Sequence, residues 1–379
     1  MAAIVKSVQK FTVTLGAGTA SATEELAAGT VTANCFPFPG TRITTPNGAA
    51  LQGYATDVYF TNPGGTPTLN VETGTGATRA LVVECTIIEV DPTVSNTSVQ
   101  QGAFNIATSE FTTNVVVDPA DMAKAFPIVT WQMDGATSDY RECLAFVEFG
   151  SSGTDVDELE IDRDGSSGAV AMSGHWYVVE SDEFTIQAVQ IYDTSDTGTG
   201  ALSPSVTLSE TACFGSYKAG TDTGAANDVF TIDCTLSTNS IDWLSEDPGG
   251  YRQGTWYAVS FDSSVGNVQH GTTDPRPQGA DASETVALPT SVDRTRSLVH
   301  PTGMPGCLAS GSFTSTTSAN CMDAFCAWDF SNDGTPSDGH IRVQHNTTGG
   351  GTGNYLSWQV IEWELTGGST PARRVMVIS

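Results

Sequence analysis

Three acidic side chains stand at alternate positions in TDVDELEIDRDGSSG (154–168): Glu160, Asp162 and Asp164, followed by Gly165. Carboxylates at that spacing, closed by a glycine turn, echo the opening of a calcium-binding loop. The twelfth position counted from Glu160 is Ala171 rather than the bidentate glutamate of such a loop. Strand alternation accounts for the same pattern, with Leu159 and Ile161 inward and Glu160 and Asp162 in solvent. Ca2+ on Glu160, Asp162 and Asp164 is therefore one expectation and a solvated strand the other. Carboxylates in the linkers (Asp91, Asp182, Glu183, Asp262) offer a second place for ions.

Aromatic side chains suggest a different chemistry. Trp176, Trp256 and Trp358 recur at equivalent points, each followed two residues on by valine. Same-face packing into a core explains them. Tyr177, Tyr257 and Trp363 fall on the other face, where exposed rings could stack on a glycan. At the C-terminus, Arg373 and Arg374 precede an apolar tail, VMVIS, after the linker-like GGSTP (367–371). That end reads either as a frayed tail or as a strand docking on a partner's sheet edge.

Catalytic patterns are not found. The histidines are His175, His270, His300, His340 and His345. No GxSxG elbow, HExxH helix or Gly-rich phosphate loop with lysine surrounds them. His340 and His345 flank a strand and fall on opposite faces. A non-enzymatic protein is expected, with no cofactor beyond the Ca2+ considered above.

The elements that position these groups follow from periodicity. A Val-Gln pair recurs at Val8-Gln9, Val99-Gln100, Val189-Gln190 and Val268-Gln269. A β-rich run recurs later in each unit, with Cys85, Trp176, Trp256 and Trp358 aligned. Between them fall the columns Phe36, Phe126, Phe214, Leu298 and Phe60, Phe149, Leu236, Phe330. The strands LNVE (69–72), LEID (159–162), IDWL (241–244) and IRVQ (341–344) complete the set. Ordered columns at nearly constant spacing mean tandem duplication. Four units are expected at 1–92, 93–183, 184–263 and 264–366, with 367–379 as linker and tail. FTVTL (11–15) and FTIDCTL (230–236) alternate at period two, and NPGG, DPGG and NDG mark turns. Only SATEELAAG (21–29) and DPADMAKAF (118–126) read as helical. The expected fold is all-β, four small antiparallel β-sandwich domains of jelly-roll or Ig-like size, in a linear array.

Composition narrows the partners. The 379 residues carry 15 Lys+Arg against 43 Asp+Glu, a net charge of −28, yet only 15% are charged. The chain is short of bases, which disfavours nucleic acid and anionic membranes. No run is long and apolar enough for a membrane helix. MAAIVKSVQKFTVTL lacks a signal peptide's apolar core, so synthesis without a cleaved signal is expected. The eight cysteines form no CxxC pair and read as buried reduced thiols, with disulfides formed after release as the other reading.

Units opening on SVQKFTVTL (7–15) or SVQQGAFNI (98–106) and closing on YVVE (177–180) or WQVIEW (358–363) resemble repeats of tailed-bacteriophage virion proteins. Lys124, Ala125 and Phe126, with the VEF strand (147–149), extend the likeness. The resemblance implies an exterior virion protein: an appendage, fibre or capsid decoration with host-surface attachment. It implies partners among capsid, neck or tail proteins, a host surface glycan, and a homo-oligomer, with a trimer favoured. It carries over no catalytic residue. The competing expectation is a secreted or surface-layer adhesin, or a carbohydrate-binding protein, of a bacterium with an acidic proteome.

Overall fold

The computed structural model describes residues 3–43, 55–74, 80–134, 144–150, 156–163, 170–193, 197–219, 233–244, 252–262, 266–273, 283–302, 327–344 and 356–366. Strands hold about two thirds of the described residues, and the helical elements described among them are three single 3-10 turns. Repeat 1 contains β1 (Val5–Leu15), β2 (Ser21–Glu25), β3 (Cys35–Ile43), β4 (Thr56–Thr61), β5 (Thr68–Thr73) and β6 (Leu81–Val90). Repeat 2 contains β7 (Ser98–Ile106), β8 (Thr112–Val116), β9 (Ala125–Asp134), β10 (Phe146–Phe149), β11 (Glu158–Asp162) and β12 (Ala171–Glu180). Repeat 3 contains β13 (Phe184–Asp193), β14 (Thr197–Ala201), β15 (Thr211–Ala219), β16 (Asp233–Leu236), β17 (Ser240–Leu244) and β18 (Arg252–Phe261). Repeat 4 contains β19 (Gly266–Thr273), β20 (Ser283–Ala287), β21 (Ser297–Pro301) and β22 (Ala327–Asp329). A small hairpin follows, β23 (Ser331–Asn332) with β24 (Thr335–Pro336), and then β25 (His340–Gln344) and β26 (Leu356–Trp363).

Every repeat has one topology. Its first, sixth and third strands form one antiparallel sheet, and its second, fifth and fourth form another. The pair of strands one and two thus runs antiparallel to the pair five and six, and strands three and four lie alongside. That is the wrapping of a jelly roll in reduced form. β1 shows how sequence sets it: Phe11, Val13 and Leu15 are buried while Thr12 and Thr14 are partly exposed. Across the sixth strand, the recurring tryptophans lie over glycine. Gly102 faces Trp176 and Gly271 faces Trp358, and a Cβ at either glycine would collide with the indole.

The units do not form a linear array. The fourth strand of each repeat packs on the first sheet of the next: β4 on β9 and β12, β10 on β15 and β18, β16 on β26. β22 of repeat 4 then packs on β3 and β6 of repeat 1, which closes a circle. Lys10 Nζ lies 3.9 Å from the centre of the Phe330 ring, and Val5 bridges to Leu365 in parallel. The reason is burial. The sixth strand of repeat 2 reads WYVVE, and Trp176, Tyr177, Val178 and Val179 are all buried. A strand apolar on both faces needs cover on both, and a bead exposed on one side cannot supply it.

The two helical expectations fail for local reasons. Ser21–Glu25 pairs with β5, and Glu24 is buried by it. In the second segment, Asp121 accepts the Ala123 N–H at 3.0 Å, an aspartate turn that competes with helix. Two columns also shift in repeat 3. The cross-strand register pairs Phe36, Phe126 and Leu298 with Ile88, Val179 and Ile361, and in repeat 3 the equivalent pair is Ala212 with Val259, not Phe214. The glutamine column moves from Gln190 to Gln187. Gln9, Gln100, Gln187 and Gln269 each accept one backbone N–H of the loop before the third strand, from Ala27, Asp118, Ser203 and Thr290. Each amide donates back, to Thr30 Oγ1, Asp118 O, Pro204 O and Thr290 O. The recurring glutamine is thus a clamp on a loop. Gln187→Ala is expected to destabilise the chain by about 1–3 kcal/mol, read as a lower urea midpoint.

Candidate functional site

The groups with chemistry in this chain gather where repeats meet. In repeats 2, 3 and 4 one residue on or just after the third strand reaches back to the preceding repeat. Thr130 Oγ1 accepts the Val58 N–H at 3.2 Å, and Ser216 Oγ accepts the Val147 N–H at 2.9 Å. Thr302 Oγ1 donates to Cys234 O. Val58, Val147 and Cys234 occupy the same place in β4, β10 and β16, one repeat after another. A buried hydroxyl bonded to a strand backbone fixes register between the units.

Beside each hydroxyl sits a carboxylate. Asp57 Oδ1 accepts from Thr130 Oγ1 at 2.8 Å, and its Oδ2 lies 2.8 Å from His175 Nδ1. The Tyr59 ring stacks on His175 with centroids 4.2 Å apart, and its hydroxyl donates to Glu72 at 2.7 Å. Glu148 Oε2 accepts from Thr255 Oγ1 and Gln190 Nε2, each at 3.1 Å. Asp233 accepts the Ser357 N–H at 2.9 Å and its hydroxyl at 2.8 Å. His175, Thr255 and Ser357 are equivalent positions, each one residue before the column tryptophan. Burial pushes the carboxyls of Asp57, Glu148 and Asp233 up from the usual range.

The candidate metal ligands fall within this pattern. Glu160 and Asp162 share a face of β11, with Glu148 directly across from Glu160. That face meets repeat 3 rather than solvent: Asp162 is 3% exposed and pairs with Lys218 and with Thr112 Oγ1. Asp164 lies outside the described residues, and among those residues no group of three His, Cys, Asp or Glu side chains is arranged to hold a metal. Burial, then Asp162 and Glu148, raise the Glu160 carboxyl to about 7.

The candidate glycan platform is buried. Tyr177, Tyr257 and Trp363 are 0%, 4% and 2% exposed. Tyr177 donates to Val58 O of repeat 1 at 2.7 Å, the Tyr257 ring meets Phe149 of repeat 2, and Trp363 meets Phe261 of repeat 3. Each is covered by the preceding repeat, so none offers a face to a sugar. Arg373 and Arg374 lie outside the described residues. Cys35, Cys85, Cys213 and Cys234 are free and buried. Cys143, Cys307, Cys321 and Cys326 lie outside the described residues.

The third strands of all four repeats converge on one cavity of about 240 Å³. Phe38, Ile128, Phe214 and His300 occupy the same position in β3, β9, β15 and β21. Phe38 and Phe214 approach to 5.3 Å between centroids, and His300 lies 5.3 Å from Phe38 and 5.4 Å from Phe214. Rings from repeats 1, 3 and 4 therefore touch at the junction, beside prolines 37, 39, 127 and 301.

Sequence reading missed these residues. A signal was present: Thr130, Ser216 and Thr302 each stand four residues after Phe126, Ala212 and Leu298. Placing Phe214 in the column hid it.

Two outcomes follow from the interfaces. Tyr177→Phe is expected to cost about 1–2 kcal/mol in thermal unfolding, because Val58 O loses its donor. The Glu160 carboxyl titrates near 7 when folded and near the ordinary glutamate value of 4.5 when unfolded. The folded state therefore gains stability as pH falls from 7 toward 4.5, and loses it as pH rises through 7. Glu160→Gln is expected to raise the melting temperature at pH 8 by a few degrees and to leave it unchanged near pH 4.5. Equal shifts at both pH values would contradict this.

Compared with known proteins, the chain matches no protein-family model and no curated protein.

Proposed function

We propose that the chain is a non-enzymatic structural protein of a tailed-phage exterior, built as a compact knob that decorates the capsid or caps an appendage, with a role in host attachment. One observation carries this reading: the closed circle of repeats. His175, His270 and the buried carboxylates at the junctions bond across repeats or within their own, and those bonds hold the units in register. A body closed on itself keeps its first and last repeats tied together, which suits a part that must stay folded outside a cell. The charge of −28 supports the same reading, since like-charged copies do not clump in solution.

The test is the copy number of the protein in purified particles of the phage that encodes it, measured by gel densitometry. Hundreds of copies per particle are the expected result for a decoration, and a few to a few dozen for a tail or neck part. Absence from particles, with the protein found on the bacterial surface, would replace this reading with the adhesin.

A further inference from the structure

The cavity at the junction is lined by one imidazole, that of His300. His300 is half-buried among rings of the other repeats, and among the described residues its ring nitrogens make no hydrogen bond. An imidazole that lines a void without a hydrogen bond to the chain can bond a ligand there. The other histidines near junctions are satisfied: His175 by Asp57, and His270 by the carbonyls of Leu208 and Thr211.

The surroundings define the partner. Phe38, Phe214, Trp256 and several prolines supply flat apolar walls. A cavity of about 150 Å³ lined by apolar side chains takes up benzene, and this one is about 240 Å³. That leaves room for a second ring. Burial lowers the His300 imidazole to about 4, so at neutral pH one nitrogen donates and the other accepts. A hydroxyl can answer either. Glu84 also lines the wall, and a carboxylate there opposes an anionic ligand.

We propose that the junction cavity is a binding site for a small uncharged aromatic alcohol, its ring system among Phe38, Phe214 and Trp256 and its hydroxyl bonded to His300. The site exists only in the closed circle, because each repeat supplies part of its wall. It does not depend on the virion reading.

The probe is 2-naphthol, titrated into the full chain at pH 7 and followed by calorimetry and tryptophan fluorescence. Naphthalene, which lacks the hydroxyl, is the control. Saturable binding of 2-naphthol at one site per chain is expected, with naphthalene weaker by about tenfold, the value of one hydrogen bond. His300→Phe is expected to reduce 2-naphthol to the naphthalene level while naphthalene affinity stays within twofold. Ile128→Trp, which adds bulk from the fourth wall, is expected to abolish binding of both. Each variant's thermal melt shows whether it folds, and either variant alone decides the matter. No saturable binding to the wild-type chain would overturn the proposal. Unchanged 2-naphthol affinity in folded His300→Phe, or retained binding in folded Ile128→Trp, would do the same.

Discussion

A three-stranded sheet whose central strand is apolar on both faces has to be covered twice. In each repeat the first sheet meets this constraint with its own second sheet on one side and the preceding repeat on the other. The rest of the architecture depends on that second contact. It places Tyr177 against Val58, and it removes Tyr257 and Trp363 from solvent. It brings the third strands together at one point, where Phe38, Phe214 and His300 touch. Because each repeat is covered by its predecessor, the first repeat needs the fourth, and the chain must return on itself.

The seam where it returns is built differently from the other junctions. Thr130, Ser216 and Thr302 bond the preceding repeat's backbone, and the matching residue of repeat 1 is Gly40. In repeat 4, Trp328 takes the place that Val58, Val147 and Cys234 hold in the other repeats. The hydroxyl clamp is thus absent from this seam among the described residues. Lys10 over Phe330 and the Val5–Leu365 bridge add contacts that the other junctions do not need.

The strands and the repetition were legible in the sequence because both are local. Period two in FTVTL and the fifth-strand column from Leu69 to Ile341 come from one chain segment at a time. The circle was written there as well, in the unbroken apolar runs WYVVE and WYAVSF, whose lack of alternation signals cover on both faces. Assigning Tyr177 and Tyr257 to an outer face overlooked that. The acids misled in the same way: Asp162 alternates as a solvated residue would, yet its solvent is the neighbouring repeat. Repeat 3 was misaligned because Gln190 mimics the column residue, Gln187, three positions away. Asp57 with His175 and the place of His300 in the cavity wall were not legible, since the first is a contact across 118 residues and the second requires four repeats in place.

Closure also governs how such a gene can change. A chain of beads tolerates the gain or loss of a unit, because each end simply moves along. Here a fifth copy would find no gap to enter, and the loss of one copy would leave one sheet of its neighbour bare. Duplication must therefore have stopped at a number set by the angle between neighbours. After that point the four copies were free to diverge only in concert with the partner each one covers.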